Sequence, residues 1–277
     1  MIKAVANEPL KIISAEPISI RQYAKEVIKY SSLIPVFALQ EIKLNYAQTN
    51  LGILWGVFRP LFTLLIFTVI FNTFLKIPTE KPYYLFAFTG MIAWNYFSQI
   101  SFSASTAIIS NQNLIRKMYF PKLILPFSKL VVSSIDFIIS LLLLTIMVLL
   151  EGNLLGLKIL TLPLFFILNV FCGLCIALWM NILTIKFRDL NQIVPSIIGF
   201  AIWVTPVFYP TTIVPNKFQF LVYANPMSGI IKGYRYSFLG EPFPEWPYWI
   251  AIISTVVLAI LGAWEFAKTE DKMVDYA

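Results

Sequence analysis

The chain has 277 residues, 58% of them hydrophobic and 13% charged, with a net charge of +7 and a mean hydropathy of +0.77. Soluble globular domains carry about 25% charged residues, so this composition excludes an ordinary soluble domain. The chain has no histidine, which removes His-based catalytic triads, His-ligated zinc and the commonest general base.

Residues 1–18 are mixed in character and contain Pro9 and Pro17. The stretch SIRQYAKEVIKY then sets Ile20, Tyr23, Val27 and Tyr30 on one face, against Arg21, Gln22, Lys25, Glu26 and Lys29. That periodicity predicts an amphipathic helix, suited to a membrane interface or to a partner protein. A second, more apolar segment, SLIPVFALQEIKLNY, runs to Tyr46. Residues 1–52 therefore read as a cytoplasmic tail with interface helices, and 53–277 as a membrane domain.

Six spans are predicted near 57–76, 84–108, 123–150, 160–184, 193–209 and 247–267. Five are within reach of the roughly 20 residues needed to cross a hydrocarbon core of about 30 Å, and the third is long enough to tilt or to protrude. The fold class is thus an all-α integral membrane protein. The basic residues lie along its loops rather than on one domain, which argues for topology and against a nucleic-acid surface. With both termini cytoplasmic, only Lys76, Lys81, Lys158, Lys217, Lys232 and Arg235 fall outside, as the positive-inside rule requires.

Between spans two and three lies NQNLIRKMYFPKLILP, cytoplasmic in this topology, with Arg116, Lys117 and Lys122 beside Pro121 and Pro126. A basic loop of this kind serves a partner protein or anionic lipid equally well. The external connection from Tyr209 to Trp246 is too long for a tight turn and too aromatic for a solvated loop. Pro215 and Ser228 are candidate starts of two short helices, broken at Asn225-Pro226 and ended by Gly240. This helical hairpin between spans five and six, about 213–240, would cap the external mouth or serve a purely structural role.

Within the spans the polar residues carry the information. Lys129, Ser133, Asp136 and Ser140 follow one another at steps of 4, 3 and 4, which places them on one helix stripe. Asp136 lies about 20 Å along the helix from Leu123, and should face protein or water, with Lys129 or Arg59 as its partner. A lining residue and a helix-to-helix clamp both fit. In span two, Asn95, Ser98, Ser101 and Ser105 alternate with Trp94, Tyr96, Phe97 and Phe102. Small hydroxyl residues allow close helix approach, and aromatic faces can stack on sugar rings. Tyr83, Tyr84, Trp203, Phe208 and Tyr209 at the external ends fit such stacking or an interfacial aromatic belt.

Cys172 and Cys175 form a CxxC inside an apolar run with no second ligand pair, and read as small residues packing between helices. The glycines never form GxxxxGK[ST], so a chain that pumps anything must have its ATP handled by another polypeptide. Gly52–Gly56, Gly152–Gly156 and Gly229–Gly233 have GxxxG spacing, a weak cue for dimers.

Four stretches carry a family resemblance: QEIKLNYAQTNLGILWGVFRP, NQNLIRKMYFPKLILP, FRDLNQIVPSIIGFAIWVTPVFYP and NPMSGIIKGYRYSFLG. Together, in order and from about residue 33 to the last span, they resemble the permease subunit of type-two ABC exporters of lipid-linked polysaccharides (O-antigen, capsule or teichoic acid). The resemblance implies a homodimer of six-span permeases enclosing a channel, with two copies of a nucleotide-binding ATPase that holds the ATP and magnesium; the permease itself would need no cofactor. It implies that residues 111–120 are the coupling helix, with Asn111, Leu114, Ile115, Arg116, Lys117, Tyr119 and Phe120 at the ATPase. Leu39–Tyr46 would belong to the interface helix. Trp55, Arg59 and Pro60 match the family's start of span one, and Arg188-Asp189 that of span five. Trp55 and Arg59 would then meet the anionic head of an undecaprenyl-pyrophosphate-linked glycan. Trp94, Phe97, Asp136, Trp203 and Tyr209 become candidates for lining the channel, and Asn225, Pro226 and Arg235 for the external gate. The expected place is the bacterial inner membrane. Rival readings are a same-architecture exporter of a small lipid or drug, and a membrane-embedded enzyme acting on a polyprenyl lipid.

Overall fold

The computed structural model describes residues 20–46, 54–152, 156–184, 187 and 189–276. Lys186, Arg188 and the extreme N-terminal tail, used above in the topology and motif readings, lie outside the described residues. All elements among the described residues are helical. In chain order they are α1 (Ile20–Lys29), α2 (Leu33–Tyr46), α3 (Trp55–Thr68), α4 (Tyr83–Ser105), α5 (Ala107–Ser110), α6 (Gln112–Ile115), α7 (Ile124–Leu150), α8 (Leu162–Leu183), α9 (Leu190–Val204), α10 (Gln219–Ala224), α11 (Pro226–Leu239) and α12 (Trp246–Tyr276).

Four of these segments are long and apolar enough to cross a membrane: Trp55–Phe74, Ile124–Leu150, Leu157–Leu183 and Trp246–Glu270. The protein is therefore a multi-pass membrane protein. Helix α3 continues through wider π-type turns over Val69–Phe74 and ends near Lys76, whose φ of 49° is left-handed.

Helix α4 has the length of a span but not its apolarity, and its place explains why. It is the axis of the molecule, packed by α8, α7, α11, α3 and α9, with most of its residues buried. A helix enclosed by protein need not be compatible with lipid, so its serines, tyrosines and amides are tolerated. Helix α3 is the opposite case: only 6% of its apolar window is buried within the single chain.

The predicted span five corresponds to an apolar helix of only 15 residues, Leu190–Val204. Thr205 precedes Pro206 and is extended (φ −83°, ψ 137°), because a proline ring excludes the helical conformation from the residue before it. The last helix, by contrast, runs past residue 267 to Tyr276.

Glycine is used where helices touch. A Cβ on Gly233 would meet the Phe165 ring at 2.1 Å, and one on Gly229 would meet Tyr248 at 2.8 Å. On Gly56 it would lie 3.2 Å from Ile139 Cδ1 and 3.3 Å from Asp136 Oδ1. Gly233, Gly229 and Gly56 therefore serve packing inside one chain, of α11 on α8 and α12 and of α3 on α7; Gly152 and Gly156 have open space around them, and Gly52 lies outside the described residues. Cys172 and Cys175 are buried free thiols of α8. They flank Gly173, where an added Cβ would strike Ile100 of α4 at 2.8 Å.

Helix α1 buries Tyr23, half-buries Val27 and exposes Arg21, Gln22, Lys25 and Lys29, as its periodicity predicts, with Tyr30 half-buried just past its end; Glu26, expected on the polar face, is half-buried. Helix α2 packs along the start of α7 while exposing Val36, Leu39 and Leu44. It is apolar on several sides, so it has no single polar face.

Candidate functional site

Three clusters of polar and aromatic side chains stand out: one around residues 111–122, one between α3, α4 and α7, and one joining α11 to the end of α9. The first is built on 111–122. Only four residues, Gln112–Ile115, are helical here, and a turn follows. Asn111 bends the chain between α5 and α6 by donating from Nδ2 to the Ala107 carbonyl at 2.9 Å. Ile115 and Phe120 are buried, and the Phe120 ring meets Phe37 of α2 at 5.5 Å. Tyr119 donates to Glu26 of α1 at 3.1 Å and packs edge-on to Tyr30. Burial, then the bond to Glu26, holds the Tyr119 phenol above its ordinary pKa, so it stays a donor.

Lys122 is buried and pairs with Glu270 at the end of α12, at 3.4 Å; its ammonium also lies 5.3 Å from the Tyr119 ring centre. Tyr23 of α1 donates to the same Glu270. Burial first, and the carboxylate second, raise the Tyr23 phenol above its usual range. The segment is thus fastened to α1, α2 and α12. It presents Asn113, Arg116, Lys117 and Met118 outward. Of the residues expected to couple, Arg116 and Lys117 are on the surface, Leu114, Asn111 and Tyr119 are half-buried, and Ile115 and Phe120 are internal anchors.

The second cluster is a cavity of about 300 Å³ between α3, α4 and α7. It brings together Trp55, Arg59 and Thr63 from α3, Asn95, Ser98 and Gln99 from α4, and Asp136 and Ser140 from α7. Gln99 donates to Asp136 Oδ2 at 3.3 Å. Lys129 does not join them: its ammonium bonds Glu41 of α2 at 2.7 Å, which corrects its expected pairing with Asp136. The predicted stripe of α7 therefore divides into a half at Lys129 that pairs with α2 and a cavity half at Asp136 and Ser140. Trp94 and Phe97 are instead buried in the core of the single chain, with ring centres 5.2 Å apart.

The third cluster ties α11 to the end of α9. Asn225 caps α11, accepting from the Met227 amide at 3.0 Å while its Nδ2 donates to Thr205 Oγ1 at 2.8 Å. Pro226 takes the first helical position, and Gly240 (φ 76°) ends the helix, close to the sequence reading, which began it at Ser228. Arg235 is buried: Nη2 donates to the Val207 carbonyl at 2.7 Å, and its guanidinium lies 3.4 Å from the Phe86 ring centre. Gly90 makes room for this contact, since a Cβ there would be 2.9 Å from the Val207 oxygen. Tyr83 donates to the Phe208 carbonyl at 2.9 Å, and Phe208 stacks on Phe67 at 3.8 Å. Trp203 stands exposed beside this stack, 5.8 Å from Phe67, and Tyr209 turns back to bond the Trp203 and Val204 carbonyls.

Sequence reasoning missed two clamps of α8. Asn169 donates to the Ala93 carbonyl at 3.0 Å and Asn181 to Ala104 at 2.7 Å, both on α4. Their signal was an amide inside an apolar run, where polar groups need a partner. Glu270 was missed because it lies beyond the apolar stretch of the last helix.

A model of the ABC-2 type transporter family matches residues 33–239, from α2 through α11. The chain is 24% identical over 244 residues to a Klebsiella pneumoniae protein named O-antigen export system permease protein RfbA, covering 88% of this chain and 94% of that one. A Myxococcus xanthus protein of the same name is 26% identical over 241 residues, covering 86% and 92%.

Proposed function

Because the chain belongs to the ABC-2 type transporter family, we propose that it is the channel-forming permease half of an ATP-driven exporter of a polyprenyl-pyrophosphate-linked polysaccharide. The relatives named for O-antigen export, similar over most of both chains, support the substrate class. In this reading two copies of the chain form the channel in a bacterial inner membrane, each with six spans and cytoplasmic termini. Helix α4 supplies span two and the short α9 span five. A separate ATPase binds each copy and holds the nucleotide. The permease makes and breaks no bonds. It has two arrangements, and the partner's nucleotide state biases which one is populated.

The observation that carries this reading is the cytoplasmic tip at Asn113–Met118, exposed at its end and fastened at its base through Tyr119, Phe120 and Lys122. A push on such a tip moves α1 and the end of α12 together instead of bending a loop. Arg116 and Lys117 contact the ATPase, while Ile115 and Phe120 keep the tip rigid. Asn225 and Arg235 hold the external gate, and Arg59 with Trp55 receive the lipid's anionic head at the cytoplasmic side of α3.

Co-purification with a candidate partner ATPase, followed by hydrolysis assays with candidate lipids, tests the proposal. Stimulation by a lipid-linked glycan is the expected result. Stimulation by a small lipid or drug alone would contradict the substrate class, and failure of the two chains to associate would contradict the permease role.

A further inference from the structure

The cavity between α3, α4 and α7 carries more chemistry than an anionic lipid head requires. One cation, Arg59, lines it beside the exposed Trp55 ring. Its other polar lining consists of the Asp136 carboxylate, the Asn95 and Gln99 amides and the hydroxyls of Thr63, Ser98 and Ser140. This divided lining fits neither a plain hydrocarbon nor a bare phosphate chain. An alkyl ligand would cover the exposed Asn95 amide and the half-buried Gln99 and Asp136 side chains and displace their water, at about 1–3 kcal/mol for each group left unsatisfied. A phosphate chain reaching past Arg59 would meet the Asp136 charge.

A ligand with an anionic end and a hydroxyl-rich end satisfies both halves. A carboxylate and two amides offer acceptors and donors at different heights, which is how polyols are held, and an indole face complements the C–H side of a sugar ring. The volume of about 300 Å³ sits at the lower bound for small-ligand pockets, about 300–1,000 Å³. That is room for one sugar and its phosphate, not for a glycan chain.

Lys129, paired with Glu41 of α2, lies seven residues before Asp136, about 10 Å along α7, and so stands apart from this lining. Gly56 lets α3 pass close to α7 beside Asp136, since a Cβ there would lie 3.3 Å from Asp136 Oδ1.

We propose that this cavity is a subsite for the first, phosphate-linked sugar of the lipid-borne substrate, with Asp136, held by Gln99, as the residue that reads its hydroxyls and Arg59 as the contact of its phosphate. The proposal rests on the exporter reading above and adds to it a residue that determines specificity. Phosphatidylglycerol offers the same two chemistries, a phosphate and a polyol, and is the competing source of such a ligand. The glycosyl lipid fits better, because a ring presents a face to Trp55 and a glycerol does not.

The test uses the complex of permease and ATPase in nanodiscs of phosphatidylcholine. Binding is titrated with three probes: a short polyprenyl pyrophosphate, the same lipid bearing one hexose, and phosphatidylglycerol. The expected result is about tenfold tighter binding of the hexose lipid than of the bare pyrophosphate, in keeping with hydrogen bonds to a charged group. Asp136→Asn and Gln99→Met each bring that ratio near one, and Arg59→Gln weakens both pyrophosphate probes together. Binding of the bare pyrophosphate by each α4 or α7 variant shows that its pocket is folded. Equal binding of hexose and bare lipids by the unmodified complex overturns the subsite while leaving the exporter reading in place. So does full discrimination by Asp136→Asn, or phosphatidylglycerol binding as tightly as the hexose lipid. Failure to bind any pyrophosphate lipid overturns the exporter reading and the subsite with it.

Discussion

Lys122 and Glu270 lie 148 positions apart in the sequence and form an ion pair at 3.4 Å with both side chains more than nine-tenths buried. The pair joins the base of the exposed tip at 113–118 to the last turns of α12, and Tyr23 closes it from α1. Removing one partner of a buried pair leaves an uncompensated charge, at about 3–5 kcal/mol, whereas replacing both by apolar groups is often neutral. Glu270→Ala is therefore expected to lower the thermal midpoint of the detergent-solubilised protein sharply. The double variant Lys122→Met with Glu270→Leu should recover most of that loss. Equal losses in the single and double variants would show that the pair is not what holds the tip.

Gly233 faces the Phe165 ring with no room for a methyl group. Gly233→Ala should cost at least the roughly 1–3 kcal/mol typical of overpacking. The complementary change Phe165→Leu in the same chain should return part of it. Thermal unfolding of the three variants checks this, and a neutral Gly233→Ala would mean that α11 does not seat on α8.

Asn225 does two jobs, capping α11 with its oxygen and bonding Thr205 with its nitrogen. Asn225→Asp keeps the cap and loses the donor; Asn225→Ala loses both. The alanine variant should be less stable than the aspartate by about 1 kcal/mol, the usual worth of an N-cap. If export falls in both, the link to α9 matters to the gate; if only in the alanine variant, the cap alone does.

Much of this arrangement was legible in the residues. Apolar length marked the long spans, and Asn225-Pro226 with Gly240 gave the bounds of α11 to within two residues. Other features depend on packing that a single sequence does not display. Helix α4 reads as a marginal span because its polarity answers to protein neighbours, which hydropathy does not register. Span five was read as extending to Tyr209 because its residues are apolar, yet Pro206 governs the backbone at Thr205. Lys129 and Asp136 share a stripe, and one helical stripe can serve two levels: Glu41, on a helix almost ninety positions earlier, takes the lysine. The buried Arg235 was placed in an external gate by family likeness alone; nothing local announces that Gly90 and Phe86 accommodate it.

Asn169 and Asn181 each hold a carbonyl of α4. Interhelical hydrogen bonds in membrane proteins average about 0.6 kcal/mol. Asn169→Leu and Asn181→Leu should therefore each destabilise modestly, and their effects should add, being about three helical turns apart. A combined loss far above the sum, measured by unfolding in mild detergent, would show that the two clamps act as one unit.

The central claim is that force enters through the exposed tip, and charge reversal there tests it most directly. Arg116→Glu with Lys117→Glu changes two surface side chains and none of the anchors beneath them. In reconstituted vesicles containing the ATPase, the account predicts a folded complex in which ATP is still hydrolysed but glycan export is lost. Export at the rate of the unmodified protein would contradict it.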